Sequence, residues 1–272
     1  VLTVIAMVNG KKALLVVDTG WGADGITLDS GFAGALRLPT EALKEGGRSA
    51  SGVEFKGMTK GVAAQVLVGN VEMKQVPLFF GSFKSLQNEK IRRSVGADGF
   101  LGAGFLRTCS AVVDLHNLRV YLRPPGTGHR AVIGPALQAA GLSEVSFTQT
   151  PGHDCLVEIE INDAAGYMFI DTGATLAGVD ERFIPKMKAA AMNTRTGSID
   201  AAGVISRTKL TRVRSFKIGG VNVRAHDLRV GKFGFYPSSG GKVIGLLGMD
   251  ILGPNGTIID FSRHKLYFYK AG

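Results

Sequence analysis

The chain has 272 residues, 45% of them apolar, and a formal net charge of +10. This much apolar content supports a sizeable core in one large domain or two lobes, and it excludes a disordered chain. No run of 18 apolar residues occurs, so no transmembrane helix is expected.

Val4 to Val8 reads as a strand that turns at Asn9-Gly10 into a second apolar run, Leu14 to Val17. That run ends in Asp18-Thr19-Gly20, followed by Trp21-Gly22 and a short helical stretch from Ser30 to Leu36. Gly46 to Val62 is polar and contains glycine, whereas Val66 to Val71 is apolar and strand-like. After a basic patch of Lys90, Arg92 and Arg93 come two further apolar runs, Phe100-Leu101-Gly102 and Val112 to Leu115. Pro124-Pro125-Gly126-Thr127-Gly128 resists regular structure and marks a boundary. We therefore assign residues 1–124 to a first lobe, 125–143 to a connector with a helix over Gly134 to Leu142, and 144–272 to a second lobe.

The second lobe runs through the same events. Leu156 to Ile161, the turn Asn162-Asp163 and Tyr167 to Ile170 lead into Asp171-Thr172-Gly173-Ala174. A helix is expected over Asp180 to Met187, with Asp180 as its N-cap and Glu181 in its first turn. Gly197 to Arg212 is again polar and contains glycine. Arg207, Lys209, Arg212, Arg214 and Lys217 alternate like one face of a strand, most simply a solvated one. Phe216 to Ile218, Leu246-Leu247-Gly248 and Leu266 to Tyr269 complete the apolar runs. With 38 glycines and many Val, Ile and Thr alternations, the fold is expected to be mainly β.

The halves align beyond the triplets. Asp114 lies 12 positions after Gly102, and Asp260 lies 12 after Gly248. Ala50-Ser51-Gly52-Val53 parallels Ala201-Ala202-Gly203-Val204, and Val68-Gly69-Asn70-Val71 parallels Ile218-Gly219-Gly220-Val221. One departure stands out. Asp29 lies 11 positions after Asp18, but its counterpart Asp180 lies 9 after Asp171, so the first half carries two extra residues, read as directly following the triplet and including Trp21. Asp114 and Asp260 recur without a Thr-Gly sequel and are read as turn residues.

The doubled Asp-Thr-Gly, each with a later apolar-apolar-Gly, resembles the pepsin and retropepsin superfamily of aspartic proteases, in a single-chain duplicated form similar to bacterial aspartyl-protease-like families. The resemblance implies two pseudo-two-fold-related retropepsin-like β-barrel lobes with a cleft between them. It implies Asp18 and Asp171 as the catalytic pair, with Thr19, Gly20, Thr172, Gly173 and Ala174 supporting their loops. Thr19 and Thr172 would hydrogen-bond across the pseudo-axis. Gly46 to Val62 and Gly197 to Arg212 fall where flaps cover the cleft, and Trp21, Gly52 and Gly203 are candidate substrate contacts. Trp21 would either wall a subsite or block the cleft.

Two facing carboxylates share one proton over a wide pH range, which lets one act as acid and the other as base. An aspartic endopeptidase needing no metal or other cofactor follows, with a non-catalytic peptide- or protein-binding module on the same fold as the alternative. A third reading, an envelope-associated protein acting through its basic patches, has less behind it. Zinc-ligand clusters, phosphate-cradling loops and aromatics interleaved with basic residues are all missing from the sequence, so no nucleic acid partner is expected. A peptide or protein substrate, a monomer, and a periplasmic or secreted location, with a cytoplasmic one as alternative, complete the expectations. Cys109 and Cys155 either bridge the lobes or remain two buried free thiols, the reading we favour.

Overall fold

In the computed structural model, which describes residues 1–44, 46–83, 96–126 and 133–269, Asn9 and Gly10 take left-handed backbone angles, with φ of 46° and 78°. Asn162 and Asp163 do the same, at 48° and 68°. Such two-residue turns match the twist of a hairpin. They join β1 (Thr3–Val8) to β2 (Lys11–Asp18) and β12 (Cys155–Ile161) to β13 (Ala164–Ile170). Both hairpins present alternate apolar side chains to the core, so a one-residue slip would expose the whole set.

In the first half follow β3 (Ile26–Asp29), α1 (Ser30–Leu36), β4 (Glu41–Ala42), β5 (Thr59–Val68), β6 (Val71–Gly81) and β7 (Gly99–Gly102). β7 lies parallel to β2 and antiparallel to β3, β6 lies parallel to β3, and β5 pairs with both β6 and β1. Six strands thereby close into a barrel. The second half has β14 (Gly178–Asp180), β15 (Ala191–Ile199), β16 (Ile205–Thr211), β17 (Phe216–Ile218), β18 (Val221–Asn222), β19 (Leu228–Gly231) and β20 (Val243–Leu247). Here β20 is parallel to β13 and antiparallel to β14, β19 is parallel to β14, β16 pairs with β19, and β17 pairs with β12. The pairing order repeats that of the first half, with the long β5–β6 hairpin broken into shorter pieces.

A third sheet joins the halves: β10 (Leu142–Ser146), β22 (Lys265–Tyr269), β21 (Ile258–Asp260), β8 (Val112–Asp114) and β9 (Arg119–Tyr121), in that order. Its central register sets Val113 against Ile259, Asp114 against Ile258 and Val112 against Asp260, which is a two-fold arrangement of the repeat. Asp114 accepts hydrogen bonds from Asn117, and Asp260 from Ser262 and Arg263, so both act as turn residues. One apolar cluster runs through both halves, including Leu15, Val17 and Leu101 with Ile170, Leu247 and Ile259. Each such buried side chain contributes on the order of 1.5–3 kcal/mol.

Asp29 and Asp180 also correspond. Asp29 accepts from the N–H groups of Gly31 and Phe83, and Asp180 from those of Arg182 and Phe233. Burial pushes the Asp180 carboxyl up, but the Arg182 fork and the two N–H groups outweigh it and hold the carboxyl below its ordinary value. After Asp180 the structure corrects the expected helix over Asp180 to Met187: only a 3-10 turn at Glu181–Phe183 forms. Pro185 has no N–H to return to the Glu181 carbonyl, which Ile184 takes instead at 3.3 Å.

The helix expected to reach Leu142 is also shorter. It is α3 (Gly134–Ala139), the second in order being α2 (Ala103–Thr108). Gly141, at φ 88°, turns the chain so that Leu142 begins β10. Val66 to Val71 is not one strand, because Gly69-Asn70 turns β5 into β6. Of the second basic patch, Arg207 and Lys209 alternate on β16, but Arg212 and Arg214 lie beyond its end, and Lys217 pairs with Glu160 at 2.5 Å. Lys90, Arg92, Arg93, Thr127 and Gly128 lie outside the described residues. Cys109 and Cys155 are free and buried, and burial pushes each thiol up to about 12. No helix among the described residues is long and apolar enough to cross a membrane.

Candidate active site

β2 and β13 each run through the interior, β2 ending at Asp18 and β13 at Ile170, one residue before Asp171. The parallel register puts Asp18 beside Gly102, and the Asp171 N–H bonds to the Leu247 carbonyl at 3.0 Å. Each loop then passes over the apolar-apolar-Gly segment of its own half. A Cβ on Gly102 would lie 2.4 Å from the Trp21 carbonyl oxygen, and one on Gly248 would lie 2.4 Å from the Leu176 carbonyl carbon. Glycine at these positions is thus a packing requirement.

The loops are tied together by their threonines, both buried. The Thr19 N–H donates to Thr172 Oγ1 at 3.1 Å, and the Thr172 N–H donates to Thr19 Oγ1 at 3.0 Å. Each hydroxyl in turn donates to a strand carbonyl of the other half, Thr19 to Ile170 at 2.5 Å and Thr172 to Val17 at 2.6 Å. Replacing Thr172 by Val would orphan the Val17 carbonyl and the Thr19 N–H. At about 1–3 kcal/mol per buried unsatisfied group, we expect Thr172→Val to cost roughly 2–6 kcal/mol in urea unfolding. A loss under about 1 kcal/mol would mean that the crossed bonds do not hold the loops.

Beyond the threonines the two carboxyl groups face each other, each against the glycine of the other loop. Gly20 and Gly173 leave them the room, since a Cβ on Gly20 would fall 2.6 Å from Asp171 Cγ and one on Gly173 would fall 2.4 Å from Asp18 Cγ. The environments differ. Desolvation and then the Asp171 charge raise the Asp18 carboxyl well above its ordinary value. Desolvation raises Asp171 too, but the Ala174 N–H, 2.9 Å from Oδ1, favours its ionised form. In the first half the corresponding N–H, that of Trp21, goes to the Asp18 carbonyl instead, and Asp18 Oδ1 receives the Gly20 N–H at 3.0 Å. Both carboxyls are raised by burial, and one proton is shared by the pair.

The raised Asp18 carboxyl has a consequence for stability. A carboxyl raised above its unfolded value contributes fully below that value, near 3.8, and loses its contribution as pH rises through the folded pKa. We expect Asp18→Asn to melt higher than the native chain at pH 7, with the gap closing as the pH falls toward about 4. A gap that widens on acidification would contradict the assignment.

The structure also relocates the insertion. The Trp21 carbonyl accepts from Ala103 N at 2.7 Å, as the Ala174 carbonyl accepts from Met249 N at 2.9 Å. Trp21 therefore corresponds to Ala174, and the extra residues follow it. Its indole does not stand free. It stacks on Phe100 with centroids 5.3 Å apart, meets Phe55 and Phe83 edge-on, and donates from Nε1 to Thr27 Oγ1 at 2.8 Å. The inserted loop reaches the second half, where Asp24 Oδ1 lies 2.7 Å from His153 Nε2.

Of the two flap segments, only that of the second half is a hairpin, β15–β16, turning through Gly203 at φ 80°. The first is a loop with a single bridge, Arg48 to Glu54, turning through Gly52 at φ 87°. Gly52 packs against Gly234 of the second half. The turns meet: Ser51 Oγ donates to Asp200 Oδ2 at 2.5 Å. Sequence reasoning paired these segments but passed over Ser51 and Asp200, whose contact spans 149 positions. It also missed Phe55, Phe83 and Phe100 as the setting of Trp21. Among the described residues no cluster of three or more His, Cys, Asp and Glu side chains could hold a metal ion.

Residues 4–105 match the family described as "Aspartyl protease", and residues 157–254 match that described as "gag-polyprotein putative aspartyl protease". Each half thus matches an aspartyl protease family, and the fold of the whole is a duplicated retropepsin-like one. Among solved structures, it is similar to an aspartic proteinase from Irpex lacteus at 14% identity, covering 99% of this chain and 94% of that one, with a TM-score of 0.52. A retropepsin-like aspartic protease from Rickettsia conorii matches at 20% identity over 48% of this chain and 93% of that one, with a TM-score of 0.35. The EIAV protease, solved with the inhibitor HBY-793, matches at 21% identity over 39% and 92%, with a TM-score of 0.30. No curated protein matches the chain.

Proposed function

We propose that the chain is an aspartic endopeptidase in which Asp18 and Asp171 share one proton and activate a water against a peptide bond. The observation that carries this reading is the pair of facing carboxyls, each against the other loop's glycine, above the crossed bonds of Thr19 and Thr172. Ionised Asp171 takes a proton from the water as its oxygen attacks the peptide carbonyl, and Asp18 gives its proton to the carbonyl oxygen. The tetrahedral adduct then collapses: one of its hydroxyls returns a proton to Asp18, the C–N bond breaks, and the leaving nitrogen takes the proton held by Asp171, which restores the pair. Pairs of this kind are the standard case of two carboxylates that cannot both ionise.

The pair works with one proton on it, so the rate should fall at low pH as both carboxyls protonate and at high pH as both ionise. Both carboxyls are raised, which moves the working range upward from that of isolated carboxyls. One copy supplies both loops, so the monomer is the expected active unit. A mixed peptide library digested at several pH values tests the proposal. Cleavage should persist in a chelator and stop when a pepstatin-like transition-state mimic fills the cleft. Binding of peptides without cleavage at any pH would favour the non-catalytic module instead.

A further inference from the structure

Each flap turn is closed by its own backbone hydrogen bonds, Ser49 N–H to the Val53 carbonyl at 2.8 Å in one and Gly203 N–H to the Asp200 carbonyl at 2.9 Å in the other, but neither tip lies in a larger sheet. β16 finds a third strand only through Lys209 to Thr211, so the outer part of the β15–β16 hairpin is a two-stranded arm. Such an arm is marginal in water on its own. The opposite turn belongs to no strand pair beyond a single bridge between Arg48 and Glu54, with the Phe55 N–H donating to the Gly47 carbonyl at 2.9 Å.

What orders both tips is a contact between lobes. Asp200 Oδ2 accepts from the Ser51 hydroxyl at 2.5 Å and faces the Ser51 N–H at 3.4 Å, while Oδ1 accepts the Val204 N–H of its own turn at 2.8 Å. The Ser49 hydroxyl lies 3.0 Å from that of Ser51, which extends the network. Beside it, the Gly234 N–H donates to the Ala50 carbonyl at 2.9 Å. Next to Asp200, Ala201 and Ala202 pack on the aromatic cluster of Phe55, Phe83 and Phe100 that also holds Trp21. A carboxylate acceptor makes the polar part of this contact stronger than one between neutral groups.

We propose that Asp200 is a positioning residue that latches the two flaps into one roof over the carboxyl pair, with the aromatic cluster around Trp21 as its seat. The proposal rests on reading the cleft as a peptidase site. A peptide enters only when the Asp200–Ser51 contact opens, and re-forming that contact holds the peptide down. Asp200 thus acts on substrate retention and leaves the bond-breaking step to the pair below. The Trp21 insertion has a place in this arrangement: its indole completes the surface on which the opposite tip rests.

Amide hydrogen exchange on the native chain and on Asp200→Ala, Asp200→Asn and Ser51→Ala tests the latch without reference to activity. Asp200→Ala should speed exchange about ten-fold over residues 48–53, in the other lobe, as well as in its own turn. Ser51→Ala leaves the Asp200 turn chemically intact, yet should speed exchange over residues 199–204. Asp200→Asn keeps an acceptor oxygen and should fall between. Exchange that rises only in the substituted lobe would overturn the proposal. On a cleaved peptide, Asp200→Ala should raise KM about five-fold with kcat within about two-fold. A fall in kcat at constant KM would overturn the positioning role. If no peptide is cleaved, the peptidase reading fails while the exchange pattern still decides the latch.

Discussion

Asp171→Asn is expected to lower kcat/KM for any cleaved peptide by about 10³-fold, the scale of a lost general base. The amide matches the carboxylate in shape and can still accept the Ala174 N–H, now 2.9 Å from Oδ1, so the loop should keep its form. What it cannot do is take a proton from water. The effect should lie in kcat, since the substitution leaves the cleft walls and flaps untouched. Unchanged melting with activity within about ten-fold of native would show that Asp171 is not the base.

Gly173→Ala should be nearly as damaging, for a steric reason. The new Cβ would sit 2.4 Å from Asp18 Cγ and Oδ2, well inside van der Waals contact. The backbone at Gly173 is not left-handed, so the whole penalty comes from that contact. Either the loop or the Asp18 carboxyl must move by about 1 Å, and a displacement of that size costs about 10²-fold in rate. Overpacking of this kind also lowers stability by about 1–3 kcal/mol. Gly34→Ala in α1, where the added methyl meets nothing within 4 Å, is the matched control and should leave the rate unchanged. Equal rates for the two variants would mean that the carboxyls are not held at close quarters.

Much of the architecture was legible because the repeat writes each local signal twice. Asn9-Gly10 and Asn162-Asp163 announce hairpins by residues that accept positive φ. The apolar-apolar-Gly segments announce crossing strands because only glycine fits beneath the loops. Less legible was anything decided by a single backbone group or by distance along the chain. The stretch after Asp180 has helical composition, but Pro185 removes the one donor that an α-turn from Glu181 needs. Counting residues gave the length of the first-half insertion. Its position after Trp21 emerged only from the Ala103 and Met249 hydrogen bonds. The Ser51–Asp200 contact joins residues whose local sequences carry no mark of each other. The unequal settings of Asp18 and Asp171 likewise follow from where one N–H points.

The most direct test of the account digests a mixed peptide library in ¹⁸O-labelled water with the native chain and with Asp18→Asn, followed by mass spectrometry. Direct attack by water predicts that each new carboxyl terminus from the native chain carries one ¹⁸O after a single turnover, and that Asp18→Asn produces no new termini. Cleavage by Asp18→Asn at the native rate, or no cleavage by the native chain anywhere from about pH 3 to pH 8, would contradict the shared-proton pair.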